Sequence, residues 1–299
     1  MGRTLPPAAG REVPAAHGDA PRLGRTTPAN GDMARRGSQL WKREEVVRAL
    51  ALYCVLPFGR FHKGNPEVIA LAASLGRTPS AVAYKLTNLA SFDPAHRSRG
   101  VTGMTNASGL DRQVWSEYYG RWDELAQVMP ASRATDGSLP TLDSPEGPTT
   151  AERLIRVRRG QEFFRRAVLA AYDGRCCITG IATPELLRAS HILPWADAEE
   201  QRLNPSNGLC LNAMHDAAFD RGLLTIDERS RVRLSPALAR AMPRDAYEAH
   251  FERYADRPIR APERFAPDPE FLRAHRRRAE SRLVASTRRE VGGRSRQEA

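Results

Sequence analysis

The stretch "RASHILPWADAEEQRLNPSNGLCLNAMHDAAFDRG", residues 188–222, holds two of the chain's seven histidines, His191 and His215, with Asn207 between them. Trp195 follows the first histidine, and Asp216 and Asp220 follow the second. An imidazole with a pKa of about 6.5 can take a proton from water at neutral pH, so this segment could carry acid–base chemistry. Singly, each residue has an ordinary structural explanation. A histidine at a strand end is usually structural, an asparagine in "NPSNG" is a common turn residue, and His215 could merely cap or pack. Whether they work together depends on the elements that carry them.

"CCITG" (176–180) reads as a short strand ending in a Thr-Gly turn, and "LLRASHILPW" (186–195) as a second strand with His191 near its end. Pro194 closes that strand, because proline cannot donate to a ladder. After a polar loop, Asn212 can cap a helix that runs through His215 and Phe219, and Gly222 stops it. "LLTIDERSRVRLS" (223–235) then alternates like a hairpin with its turn at Asp227 to Ser230. The expected order is strand, strand, loop, helix.

In that order His191, Asn207 and His215, spaced 16 and then 8 residues apart, resemble the HNH endonucleases with their ββα-metal site. "SHILPW", "RLNPSNGLCL" and "HDAAFDRGLLTID" are similar to blocks of a bacterial subgroup described as restriction endonucleases, over about residues 165–230. The resemblance implies that His191 is the general base, that Asn207 fixes its tautomer and holds the loop, and that His215 binds a divalent metal at the scissile phosphate. Phosphodiester hydrolysis needs an activated water, charge relief at phosphorus and a stabilised leaving oxygen.

Two positions depart from the family pattern. Ser190 stands where many members place an Asp or His as a second metal ligand, and Phe219 stands where some carry a second helical histidine. The resemblance therefore implies a metal held by His215 alone with water and phosphate, or by His215 joined by Asp216, with Ser190 at the family's second ligand position. Asp220 is the weaker candidate, because it can instead anchor the following Gly turn. Oxygen-rich, hydrated coordination suits Mg²⁺ or Mn²⁺. Some relatives carry a zinc knuckle. Cys177 stands where its first cysteine would be, but Gly180 occupies the partner's place, so no structural zinc is expected.

The rest of the 299-residue chain must hold and feed this site. Residues 1–32 are rich in Pro, Gly and Ala and read as a disordered leader, with Met33 an alternative start to Met1. Residues 33–129 read as a helical region. Within it, Gly76 ends one helix, and Thr78 and Pro79 start the next. Val82, Leu86 and Leu89 line one face, which leaves Lys85 and Asn88 outward. This arrangement fits a helix-turn-helix entering a major groove as well as it fits a plain helical hairpin. Residues 130–150, with four prolines, read as a linker. Residues 151–270 hold the nuclease-like region, opened by a helix whose Arg165 and Arg166 could clamp a backbone. The tail, 271–299, has nine arginines against three glutamates and need not be part of the fold.

A net charge of +11 and a pI of about 10.1 favour a polyanionic partner. No apolar run is long enough to cross a bilayer, and the N-terminus lacks the order of a secretory signal, so the expected address is the cytoplasm. The sequence thus reads as an α+β protein: a helical, helix-turn-helix-like region, a linker, and an HNH ββα-metal region with flanking helices. The function expected is metal-dependent hydrolysis of double-stranded DNA, in the manner of a restriction nuclease. The alternative is a noncatalytic DNA-binding regulator with a decayed site. A homodimer would help to cut both strands, but the pattern does not fix the oligomeric state.

Overall fold

The structure, a computed structural model, describes residues 40–98, 100, 107–129 and 151–294, with backbone alone for 151–152 and 283–294. The leader and linker expectations lie outside the described residues. Among the described residues, the α-helices of the first part of the chain are α1 (Arg43–Val55), α2 (Pro66–Leu75), α3 (Pro79–Ala90), α4 (Pro94–Arg97), α5 (Gly109–Tyr118) and α6 (Trp122–Val128). Their ends follow from the sequence. Asn65 Oδ1 accepts from Glu67 N at 2.8 Å at the start of α2, Gly76 takes φ +63° at its end, and Thr78 Oγ1 accepts from Ala81 N at 3.2 Å to start α3. α1 is apolar almost all round, from Val46 to Val55, so it is the central helix that the others cover.

α2 and α3 pack on each other as expected, with Val82, Leu86 and Leu89 buried. The outward lysine is not found. Lys85 is only 5% exposed, its Nζ 2.6 Å from Asp111 Oδ1 of α5 and 4.7 Å from the centre of the Trp41 ring. It sits at the border of the apolar face, and α5 covers that border. Asn88 is also half-buried, which leaves Tyr84 as the large exposed side chain of α3.

A long helix, α7 (Ala151–Ala171), leads into the second part and lies on an antiparallel pair, β1 (Leu187–His191) and β2 (Gly208–Asn212). Leu187 faces Asn212 and His191 faces Gly208 across that pair. Phe163, Phe164, Ala167 and Val168 bury the face of α7 that meets it, whereas Leu154 in its first turn is exposed. Gly208 permits the approach, since a Cβ there would stand 2.4 Å from Val168 Cγ2. Helix α8 (Ala213–Asp220) follows β2 directly, capped by Asn212 Oδ1 on His215 N at 2.9 Å. A hairpin of β3 (Leu224–Ile226) and β4 (Val232–Leu234) comes next, then α9 (Pro236–Ala241), α10 (Arg244–His250) and α11 (Pro269–Arg294).

"CCITG" is not a strand. It is a turn closed by Gly180 N on Cys176 O at 2.9 Å, and the second strand of the ββα unit is "GLCLN". All five of its residues are buried, so it lacks the alternation that marks a half-exposed strand.

The helices before residue 130 and the elements after 150 share one apolar core. Arg264, 2% exposed, helps to join them: its Nη2 donates to Leu56 O at 2.6 Å and to Cys54 O at 3.2 Å at the end of α1. The tail is also different from its expectation. The first half of α11 is part of the fold, with Leu272, His275 and Ala279 buried. The His275 ring stacks on Phe219 at 3.8 Å between centroids, and its Nε2 donates to Phe219 O at 2.9 Å.

Two expected outcomes follow from this contact. Gly222 has φ +71°, and a Cβ there would lie 2.8 Å from Ala279 Cβ. Gly222→Ala should therefore lower stability by about 1–3 kcal/mol, read from the urea midpoint. Burial pushes the pKa of His275 down to about 4, against which the Phe219 carbonyl pulls only weakly. A histidine with a depressed folded-state pKa contributes stability above about pH 6.5 that is lost as pH falls toward 4, on the order of 3 kcal/mol. The gap in stability between wild type and His275→Leu should narrow over that range.

Candidate functional site

His191 closes β1, where three contacts fix its ring. Phe164 of α7 stacks on it with 3.9 Å between centroids, Trp195 meets it edge-on at 5.7 Å, and its Nε2 lies 2.9 Å from Arg202 O. A carbonyl only accepts, so Nε2 carries the proton and Nδ1 keeps its lone pair. Burial lowers the pKa of the ring, with the Arg202 carbonyl opposing. The ring is thus neutral at pH 7, with one nitrogen ready to take a proton.

Asn207 supports this arrangement from a distance. Its Oδ1 accepts from Leu193 N at 2.8 Å, while its Nδ2 donates to Gln201 O at 3.2 Å and to Leu193 O at 3.3 Å. The amide ties the chain leaving β1 to the segment that returns to β2, and that segment carries the Arg202 carbonyl. The sequence reading gave Asn207 both loop and tautomer. Its contacts hold the loop, and the Arg202 backbone sets the tautomer.

His215 stands elsewhere. It is 2% exposed, in the first turn of α8, between Phe251 and Tyr254. Its Nε2 donates to His250 O at 2.8 Å, and its Nδ1 takes a hydrogen from Asn212 Nδ2 at 3.2 Å. Neither nitrogen is left for a cation. The expectation that the His191 and His215 rings converge on one ion is therefore not met. His191 is held against α7, and His215 is turned toward the end of α10. Beside it, Cys176 is buried, which raises its pKa, yet the nearby His215 ring and hydrogen bonding from Thr179 prevail and bring the thiol to about 7.

The next residue of α8 faces the other way, because one step along a helix turns about 100°. Burial raises the pKa of Asp216, opposed by the Ser190 hydroxyl and by Arg188 and Arg221. Ser190 Oγ is buried next to His191 with no hydrogen bond of good geometry, and the group that it meets is the Asp216 carboxylate. Asp220, one turn on, lies on the same face. Its side chain is exposed, but its carboxylate loses part of its hydration to the surrounding protein, and this with the Asp216 charge raises its pKa to about 6. Two carboxylates that repel each other beside an orphaned hydroxyl are an oxygen donor set suited to a hard divalent cation. Among the described residues no three His, Cys, Asp or Glu side chains stand together as a metal cluster, so water and substrate oxygens would complete the shell.

The expected DNA-contacting residues are placed as follows. Arg165 Nη1 donates to Leu187 O at 3.0 Å at the start of β1, and Arg166 pairs with Glu67 of α2, so both join elements. Lys85 is paired inside the helical region, and Asn88 is half-buried. The exposed arginines of α7 are Arg153, Arg156, Arg158 and Arg159. Sequence reasoning passed over the Phe164 stack and the Arg202 carbonyl. Phe164 reads only as core, and a backbone acceptor leaves no signal in residue types.

Residues 176–227 match the HNH endonuclease family, a span that holds β1, β2, α8 and β3 with His191, Asn207, Asp216 and Asp220. No curated protein matches the chain. The match implies a nuclease domain with a nucleic acid as substrate, and HNH nucleases generally use a divalent metal. Among the described residues no helix is long and apolar enough to cross a membrane.

Proposed function

We propose, from the HNH endonuclease domain at 176–227, that this protein is a metal-dependent endonuclease of double-stranded DNA with a role in restriction. The observation that carries the reading is the His191 ring, stacked, neutral and fixed with Nδ1 as its free base. In the reaction His191 Nδ1 removes the proton of the attacking water as the oxygen adds to phosphorus. Phe164 and the Arg202 carbonyl keep the ring in position and stabilise the imidazolium that forms. Asn207 holds the loop so that this carbonyl does not drift.

Asp216, Asp220 and Ser190 would hold the cation, and His215 would serve the fold. Mg²⁺ or Mn²⁺ bound there supplies charge relief at the phosphate and stabilises the leaving oxygen. The exposed arginines of α7 and a net charge of +11 draw the duplex in.

Nicking of supercoiled plasmid by the purified protein, with Mg²⁺, Mn²⁺ or EDTA, tests the reading. Metal-dependent nicking is expected; tight binding with no cut under any metal, on methylated and unmethylated plasmid, would favour a noncatalytic regulator. For the cation site, Asp216→Asn should raise the Mn²⁺ concentration for half-maximal binding by about 10–100-fold, read from the free-Mn²⁺ resonance without DNA. A His215→Gln protein that stays folded should bind Mn²⁺ as wild type does; a loss equal to that of Asp216→Asn would return the ligand role to His215.

A further inference from the structure

We infer that Arg278, on the first half of α11, is a phosphate-contacting residue of this site, holding a nonbridging oxygen of the phosphodiester that is cut beside His191. The inference rests on the nuclease reading above and adds to it a side chain from the C-terminal helix. Its guanidinium lies at the end of β1, with Nη2 3.4 Å from the carbonyl of Ile192, the residue after His191, and Nη1 3.5 Å from Asp197 Oδ2.

Both contacts stand at the outer limit of hydrogen bonding, and the Asp197 side chain is largely exposed, so they are weak and exchangeable. Its neighbours are held more firmly. Arg276 Nη1 donates to Ile226 O at 2.8 Å, Arg282 Nη1 to Asp220 O at 2.6 Å, and Arg165 Nη1 to Leu187 O at 3.0 Å. Each of these completes a backbone carbonyl at 3.0 Å or less, whereas Arg278 reaches its carbonyl and a solvent-facing acid only at 3.4 and 3.5 Å. Its charge also acts on Asp220, which sets it on the rim of the carboxylate pair.

The electrostatics require such a group. A divalent cation held by Asp216 and Asp220 would only balance their two charges, and the neutral His191 ring adds none, so the negative charge of the phosphate is left for a cationic side chain to meet. A guanidinium fork can offer two N–H groups to two phosphate oxygens, in the directions that Asp197 and the Ile192 carbonyl now occupy. Asp197 is then a resting counter-ion that the substrate displaces.

The test compares full-length Arg278→Ala and Arg278→Gln with wild type and with Arg273→Ala, which removes an arginine paired with Glu270 on the same helix. Plasmid cutting with Mn²⁺ is followed at saturating DNA. Both Arg278 variants should cut about 10²-fold more slowly, Arg273→Ala should match wild type, and added guanidinium ion should restore part of the Arg278→Ala rate. Arg278 variants that cut as fast as Arg273→Ala would overturn the inference. So would a slowed Arg278→Gln with a lowered urea midpoint and no response to guanidinium in the alanine variant. If wild type and His191→Ala alike fail to cut, it is the nuclease reading that fails.

Discussion

His191→Ala is expected to slow plasmid cutting by about 10²–10⁴-fold while leaving affinity for the duplex near that of wild type. The size of the loss follows from the role: without Nδ1, water must ionise unaided, because the rings of His215 and His275 are buried and bonded to other backbone carbonyls. Affinity should persist because the exposed arginines of α7, proposed to draw in DNA, are untouched. The stability cost should be modest, since the ring is half-buried and its polar contact is with one backbone carbonyl. The measurements are the cutting rate at saturating DNA and a binding isotherm in EDTA. A variant that cuts as wild type does would remove the base from the mechanism.

The largest effect on stability is expected from Asp111→Ala. Asp111 and Lys85 form a buried ion pair at 2.6 Å, and Asp111 Oδ2 also accepts from Ser108 N at 3.2 Å to start α5. Removing the carboxylate strands an ammonium in the core, at a cost of about 3–5 kcal/mol. Replacing both partners, Lys85→Met with Asp111→Leu, removes the stranded charge and should recover most of the loss, short of about 1 kcal/mol for the missing cap. Urea unfolding reads both effects. The double variant should bind duplex DNA as wild type does, because this lysine faces the protein and not the groove; weakened binding in a stable double variant would restore the outward reading.

Much of the fold was legible because local chemistry governs it. Gly76, Thr78 and Pro79 bound their helices as their backbone preferences require, and Asn212 and Gly222 do the same for α8. The hairpin at 224–234 follows its alternation. What stayed hidden depended on tertiary packing. Strand β2 is covered on both faces, so its pattern does not distinguish strand from loop. Helix α11 buries only Leu272, His275 and Ala279 of its first turns, a signal that the arginines drown.

The site divides along the same line. His191 and Asn207 could be singled out from residue type and order. The exchange of roles proposed between His215 and its neighbour Asp216 could not, because order along the chain does not say which of two adjacent helical residues faces β1. Ser190 reads in sequence as the loss of a ligand. In the fold its orphaned hydroxyl beside Asp216 is the clue to the oxygen donor set.

The bond from Arg264 to the end of α1 joins residues more than 200 positions apart. A ribosome adding about 5–20 residues per second needs roughly 10–40 s to cover that distance, and α1 waits through this time with its apolar sides unmatched by their late partners. Because α11 follows every other described element, a chain made only as far as β4 lacks the helix that backs Phe219 and Gly222, and the proposed cutting should wait until that helix has been added.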